Sequence, residues 1–198
     1  VALEGVSITD SRGGGWGDFN RDKHLDLYLG GYEFPDYNQD TAYFGRSDGT
    51  FSLAWRQDPS DIDPARGITT ADYDEDGDLD VYVSNYRNEY NQLYQNQGNG
   101  EWIEVGLALG VGGVYDGWSW SYGNTVGSVF GDMDNDGHLD LFVGNQSQPD
   151  EWQDRPMFLR NGGPPDYVFE DMSEWAGLIW QESYGTPSLV DYDNDGDL

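Results

Sequence analysis

Cysteine is absent from the 198 residues, so no disulfide framework holds this chain, and thiol usage says nothing of its redox compartment. Basic residues are scarce. Nine Lys and Arg stand against 38 Asp and Glu, giving a net charge of −29 and a pI of 4.1. That imbalance argues against nucleic acid and anionic membranes as partners. No stretch approaches the roughly 18 apolar residues of a membrane-spanning helix, so no membrane insertion is expected. Only two histidines occur, His24 and His138, too few parts for a Ser/His/Asp or Cys/His arrangement. No segment carries helical periodicity, and no secretion signal is visible. Low hydrophobicity with high charge can accompany disorder. Here an aromatic content of 15% and regular apolar alternation contradict it.

What the chain has in abundance is one acidic nonapeptide, repeated four times. The copies begin at Asp18, Asp72, Asp132 and Asp191, and the last reaches Leu198, one residue short of its ninth position. Seventeen of the 38 acids lie inside these loops, so much of the charge is clustered at fixed spacing. Oxygen-bearing side chains recur at positions 1, 3, 5 and 9, a pattern that can wrap a hard cation. The candidate donors are Asp18, Asn20, Asp22 and Asp26, with the His24 carbonyl; Asp72, Asp74, Asp76 and Asp80, with the Asp78 carbonyl; and Asp132, Asp134, Asp136 and Asp140, with the His138 carbonyl. The fourth loop offers Asp191, Asp193 and Asp195, with Asp197 at position 7.

All-oxygen donors in a flexible loop favour Ca2+ over Zn2+, and over Mg2+, which keeps its waters. A helix-loop-helix calcium site would need an acid at position 12. Leu29, Val83 and Val143 stand there, so that reading fails. Lys23 replaces the glycine of the sharp turn at position 6, where a positive φ is expected. Loop 1 is therefore expected to be the weakest complete site. Both histidines fall at position 7, where the backbone is the donor, and their side chains are expected to face solvent.

The first Asp of each loop recurs after 54, 60 and 59 residues (18 to 72, 72 to 132, 132 to 191), a period that points to a propeller or solenoid. Four strand-like runs occupy each period. The first leads into the loop, at 15–19, 68–73, 126–133 and 186–192. The second leaves it, at 25–30, 79–84 and 139–144; Leu79, Val81 and Val83 alternate with Asp80, Tyr82 and Ser84, as for a strand with distinct faces. The third covers 41–44, 92–95 and 157–160, and a Gly-rich turn leads to the fourth, at 51–55, 102–105 and 168–171. Four antiparallel strands make one blade. The expected fold is all-β: a partial β-propeller of four-stranded antiparallel blades with calcium-binding loops between strands 1 and 2. Repeats fall near 11–57, 67–106, 125–173 and 185–198, three blades and the start of a fourth. Such a set is expected to be a fragment of one propeller domain whose other blades belong to a parent chain.

Ala71-Asp-Tyr-Asp-Glu-Asp-Gly-Asp-Leu-Asp-Val-Tyr-Val-Ser-Asn85, followed by Asn91-Gln-Leu-Tyr-Gln-Asn-Gln-Gly-Asn-Gly100, resembles the FG-GAP/VCBS repeats of integrin alpha-subunit propellers and of bacterial surface and secreted proteins. The branch with cartilage acidic protein and its bacterial relatives is the most similar. The resemblance covers essentially the whole chain and implies a calcium-bearing propeller outside the cytoplasm: extracellular, on the cell surface or periplasmic. It implies no single activity, because the fold serves adhesion, carbohydrate binding and lyase catalysis.

Strand order places the calcium loops and the strand 3–4 turns on one face, and the longer 2–3 and 4–1 connections on the other. The connection at 112–124 carries Tyr115, Trp118, Trp120 and Tyr122, candidates for a ligand face or for packing between blades. Trp16, Trp55, Trp102, Trp152, Trp175 and Trp180 are expected to be packing residues. The expected function is a non-catalytic calcium-stabilised module for protein adhesion or surface assembly, with a protein or glycan bound opposite the calcium loops. A lectin-like propeller is the alternative, and part of a polysaccharide lyase a further one.

Overall fold

A computed structural model describes residue 6 and residues 11–32, 38–98, 100–114, 122–146, 155–178 and 185–198. Twelve strands and one helical turn are formed there. The first blade comprises β1 (Ser11–Gly17), β2 (Asp26–Gly31), β3 (Thr41–Gly45) and β4 (Phe51–Arg56). The second comprises β5 (Ala65–Ala71), β6 (Asp80–Asn85), β7 (Gln92–Asn96) and β8 (Trp102–Glu104). The third comprises β9 (Thr125–Gly131), β10 (Asp140–Asn145), β11 (Met157–Asn161) and β12 (Phe169–Asp171). Each blade is a four-stranded sheet in sequence order, with every pair antiparallel. This is the expected all-β partial propeller.

Successive blades pack through their first strands. A Cβ on Gly67 of β5 would lie 2.8 Å from the Val126 carbonyl oxygen at β9, so the backbones approach as closely as a glycine allows. Gly15 of β1 lies in the same way against Ile68 and Thr70 of β5, and Gly127 of β9 against Thr186. The start of the fourth repeat thus lies against the third blade, although residues 185–198 form no strand.

Hydrophobic burial follows from this stacking. Phe19, Tyr28, Val81, Val83, Tyr94 and Trp102 form a core between blades 1 and 2. Tyr73, Tyr82, Leu93, Leu141, Met157 and Phe169 form the next, between blades 2 and 3. The alternation along β6 therefore does not separate an inner from a solvent face. Val81 and Val83 enter one core, Tyr82 enters the other, and all six residues of β6 are buried.

Several expectations need correction. The first strands stop at Gly17, Ala71 and Gly131, short of the expected ends, because position 1 already turns inward to accept backbone hydrogen bonds from its own loop. One helical turn, α1 (Gly106–Leu109), follows the second blade and is closed by Gly110 in the left-handed region. Four residues are too few to display helical periodicity. Trp55 and Trp102 pack as expected, but Trp16 is 51% exposed with its ring tilted against Phe51, outside both cores, while Trp175 is 76% exposed in a turn after β12. Trp152 and Trp180 lie outside the described residues, as do Tyr115, Trp118 and Trp120.

Candidate metal centre

The loops between first and second strands are built alike. The position 1 carboxylate accepts hydrogen bonds from the backbone N–H groups of positions 5 and 6. Asp22 and Lys23 donate to Asp18 at 2.9 Å each, and Asp136 and Gly137 donate to Asp132 at 3.1 and 3.0 Å. Asp195 and Gly196 donate to Asp191 at 3.2 and 3.0 Å. In loop 2 the Gly77 N–H takes Asp72 at 2.9 Å. The position 5 carboxylate in turn accepts the N–H of position 7: His24 to Asp22, Asp78 to Asp76, His138 to Asp136 and Asp197 to Asp195, at 2.8 to 3.0 Å.

The chain must turn sharply to close this ring. Position 6 has positive φ in all four loops: 71° at Lys23, 89° at Gly77, 96° at Gly137 and 100° at Gly196. The sequence anticipated that requirement, which Lys23 meets against its own steric preference. Position 4 is left-handed as well, at Arg21, Glu75, Asn135 and Asn194. Nothing in the spacing of donors announced it.

Position 9 is buried in each complete loop and does two jobs. Asp26, Asp80 and Asp140 each accept the N–H of position 2, from Phe19, Tyr73 and Met133. Their other oxygen accepts the last N–H of the third strand, from Gly45, Asn96 and Asn161. One carboxylate thus ties the incoming strand, the outgoing strand and the third strand together.

Three carboxylate groups come close enough to share an ion: Asp72, Asp74 and Asp80; Asp132, Asp134 and Asp136; and Asp191, Asp193 and Asp195. Loop 1, where Asn20 stands among the donors, gathers no such trio among the described residues. Burial raises Asp80 to about 8, against the pull of hydrogen bonds from Asn96 and Tyr73 and with a push from Asp74. Burial also raises Asp26, Asp74 and Asp140. Burial disfavours the charged form of each carboxylate, and the neighbouring acids of the same loop add a smaller push.

The donor set fits a hard divalent cation. Oxygens are its only first-rank ligands, and one of them, Asp72 Oδ1, is buried without a hydrogen-bond donor. A buried carboxylate oxygen left unpartnered is costly unless something positive meets it. A calcium ion held by Asp72, Asp74 and Asp80 would meet it, and would supply charge neutralisation between the incoming and outgoing strands.

Two sets of residues beyond the acidic pattern link one loop to the next. Asn96 donates to the carbonyls of Phe19 and Leu79, and Asn161 donates to those of Tyr73 and Leu139. The repeated Asn of the third strand was visible in the motif, but its role was not. At the surface, position 4 of each loop reaches position 7 of the next: Arg21 to Asp78 at 2.6 Å, Glu75 to His138 at 2.5 Å, and Asn135 to Asp197 at 2.8 Å. The His138 side chain is only partly open to solvent, 25% exposed, where full exposure was expected. Its ring meets Glu75, stands edge-on to Tyr167 and lies over Gly163, because the third-to-fourth-strand turn folds back on the same face as the loop. Asp78 lies over Gly98 in the same way.

On the opposite face, Tyr122 donates its N–H to the Asn88 carbonyl at 2.9 Å and sets its ring against Tyr90. The 2–3 and 4–1 connections therefore do meet there. Blades that pair an acidic strand 1–2 loop with inter-blade packing define a class of propeller repeat. A family model for the FG-GAP-like repeat matches residues 18–83 and 73–143, well over half of the chain, and the chain belongs to that family. No curated protein matches it.

Proposed function

We propose that this chain is a calcium-stabilised binding module that works outside the cytoplasm, in adhesion or surface assembly. The observation that carries the reading is loop 2, where Asp72, Asp74 and Asp80 converge around a buried, unpartnered carboxylate oxygen. Loops 3 and 4 also gather three carboxylates each, with position 5 in place of position 9: Asp132, Asp134 and Asp136, and Asp191, Asp193 and Asp195. Extracellular calcium modules bind at about 10⁻⁴ to 10⁻³ M, an affinity of use only where free calcium is that high. A protein or glycan partner belongs on the face opposite the loops, where Tyr90 and Tyr122 pair and the connection bearing Tyr115, Trp118 and Trp120 begins. A lectin-like role would use those aromatic rings as stacking platforms.

Calorimetric titration of chelator-treated protein tests the calcium reading. Uptake of Ca2+ in the range of about 10⁻⁴ to 10⁻³ M, with Mg2+ failing to substitute, is the expected result. No heat and no rise in melting temperature at about 10 mM Ca2+, well above that range, would sink it. Glycan-array binding lost on Trp118→Ala would favour the lectin role over protein adhesion, and turnover of an acidic polysaccharide would replace both with a lyase.

A further inference from the structure

We propose that the fourth residue of each loop, Arg21, Glu75 and Asn135, is a positioning residue that couples cation binding in its own loop to binding in the next. The inference rests on the calcium reading above, since it concerns how loops that hold ions communicate.

The same contact recurs at three successive junctions with three different chemistries. A guanidinium meets a carboxylate at Arg21 and Asp78, a carboxylate meets an imidazole at Glu75 and His138, and an amide meets a carboxylate at Asn135 and Asp197. Arg21 also donates to the carbonyls of Asp76 and Gly77, at 2.9 and 3.0 Å, and so grips the whole turn of loop 2. Side-chain identity changes while geometry persists, with φ at position 4 held between 57° and 62° in the four loops. A non-glycine residue in that region carries a steric cost, and one repeated in every loop has a reason. Glu75 makes the point from charge. It adds a carboxylate to a loop that already holds five aspartates, and its compensation lies in His138 of the next blade.

Position 4 sits between the donors at positions 3 and 5. Position 7 supplies the backbone carbonyl of the following loop. A cation that draws the His138 carbonyl inward fixes the His138 side chain, which fixes Glu75, which restricts Asp74 and Asp76. Loop 2 then has less freedom to lose when its own ion arrives, and affinity rises. Linkage makes the effect mutual, so an ion in loop 2 tightens loop 3 by the same factor. Repulsion between neighbouring ions opposes this and is reduced by salt. The Asn161 bonds join the same two loops, but they lie inside the blade interface and engage main-chain carbonyls at positions 2 and 8, not the carboxylates. The exposed bridge is the part that ordering makes and breaks.

Amide spectra of the full chain during Ca2+ titration test this, because Gly77 and Gly137 report loops 2 and 3 separately. Asp134→Ala disables loop 3. In the otherwise unaltered chain it is expected to weaken Ca2+ binding at Gly77 by about fivefold or more, the lower range of site-to-site coupling. In the Glu75→Ala chain the same change is expected to cost less than about twofold. Loss of the Asp134 charge is common to both arms and cancels between them. Equal weakening in both chains, or none in the first, overturns the coupling while leaving calcium binding intact. A Gly77 amide that never responds to Ca2+ ends both readings. Melting temperatures in Ca2+ confirm that each variant is folded, and His138→Ala, expected to erase the coupling from the other end, serves if Glu75→Ala is not.

Discussion

Asn96 and Phe19 stand 77 residues apart, yet the Asn96 amide donates to the Phe19 carbonyl at 2.8 Å inside the protein. The same amide takes the Leu79 carbonyl, and its own oxygen accepts the Gly98 N–H. One side chain therefore serves two blades and a turn. Asn161 does the same one blade later, with Tyr73, Leu139 and Gly163.

Asn96→Ala is expected to leave two buried carbonyls without a donor and to lower stability by about 2–3 kcal/mol, given a cost of about 1–3 kcal/mol per unsatisfied group. The denaturant midpoint measures it, in Ca2+ and in chelator alike. A loss below half a kcal/mol, the ordinary scale of a surface substitution of about that size, would show that water replaces the amide.

Lys23→Gly is expected to do the opposite. It relieves a left-handed Lys at φ 71° and removes a cation from loop 1. Stability should rise by about 0.5–1 kcal/mol, less the added freedom of the unfolded chain, and the loop 1 calcium affinity should rise with it. Calorimetry that finds loop 1 already the tightest site would remove the premise.

Stability in chelator is expected to rise as pH falls from about 8 toward 4, the span between the raised folded values and the ordinary carboxylate value. Burial lifts Asp40 to about 7, against hydrogen bonds from the Gly31 N–H and the Tyr28 hydroxyl. Burial lifts Asp63 to about 7, with Glu89 and Asp61 adding to it, and Asp80 to about 8. Each returns to an ordinary value near 3.8 on unfolding. The folded state therefore holds these protons more tightly, and their contribution is complete at low pH and lost as pH rises through 7 to 8. Asp40→Asn should flatten its share of the slope. Urea midpoints that climb with pH over this span would contradict the assignment.

Saturating calcium should remove the Asp80 share of that slope and raise stability at neutral pH. Each occupied loop adds about 2.7 kcal/mol when free calcium is 100 times its Kd. Asp74→Ala, which breaks the loop 2 trio, should cost most of one such increment in Ca2+ and far less in chelator. Equal losses in the two conditions would mean that Asp74 acts through packing alone.

Fixed spacing made the architecture and the carboxylate clusters of loops 2, 3 and 4 legible, since a turn that repeats its chemistry every 54 to 60 residues betrays blade and loop together. The position 4 bridges were not legible, because Arg21, Glu75 and Asn135 share a backbone angle and no chemistry. Each is suited to a partner 57 to 63 residues later (21 to 78, 75 to 138, 135 to 197), a relationship that only the stacking of blades creates. The exposure of Trp16 and Trp175 escaped notice for a related reason: an aromatic residue reads as core until its neighbours are known. The double burial of β6 was hidden because Val81 and Tyr82 alternate in the sequence yet serve two separate cores.

The carboxylates of Asp26, Asp80 and Asp140 latch three strand ends through main-chain donors alone. Each of these side chains is therefore a single point of failure for its blade. Replacing one would loosen three strand ends at once, two beside the loop and one at the far side of the hairpin.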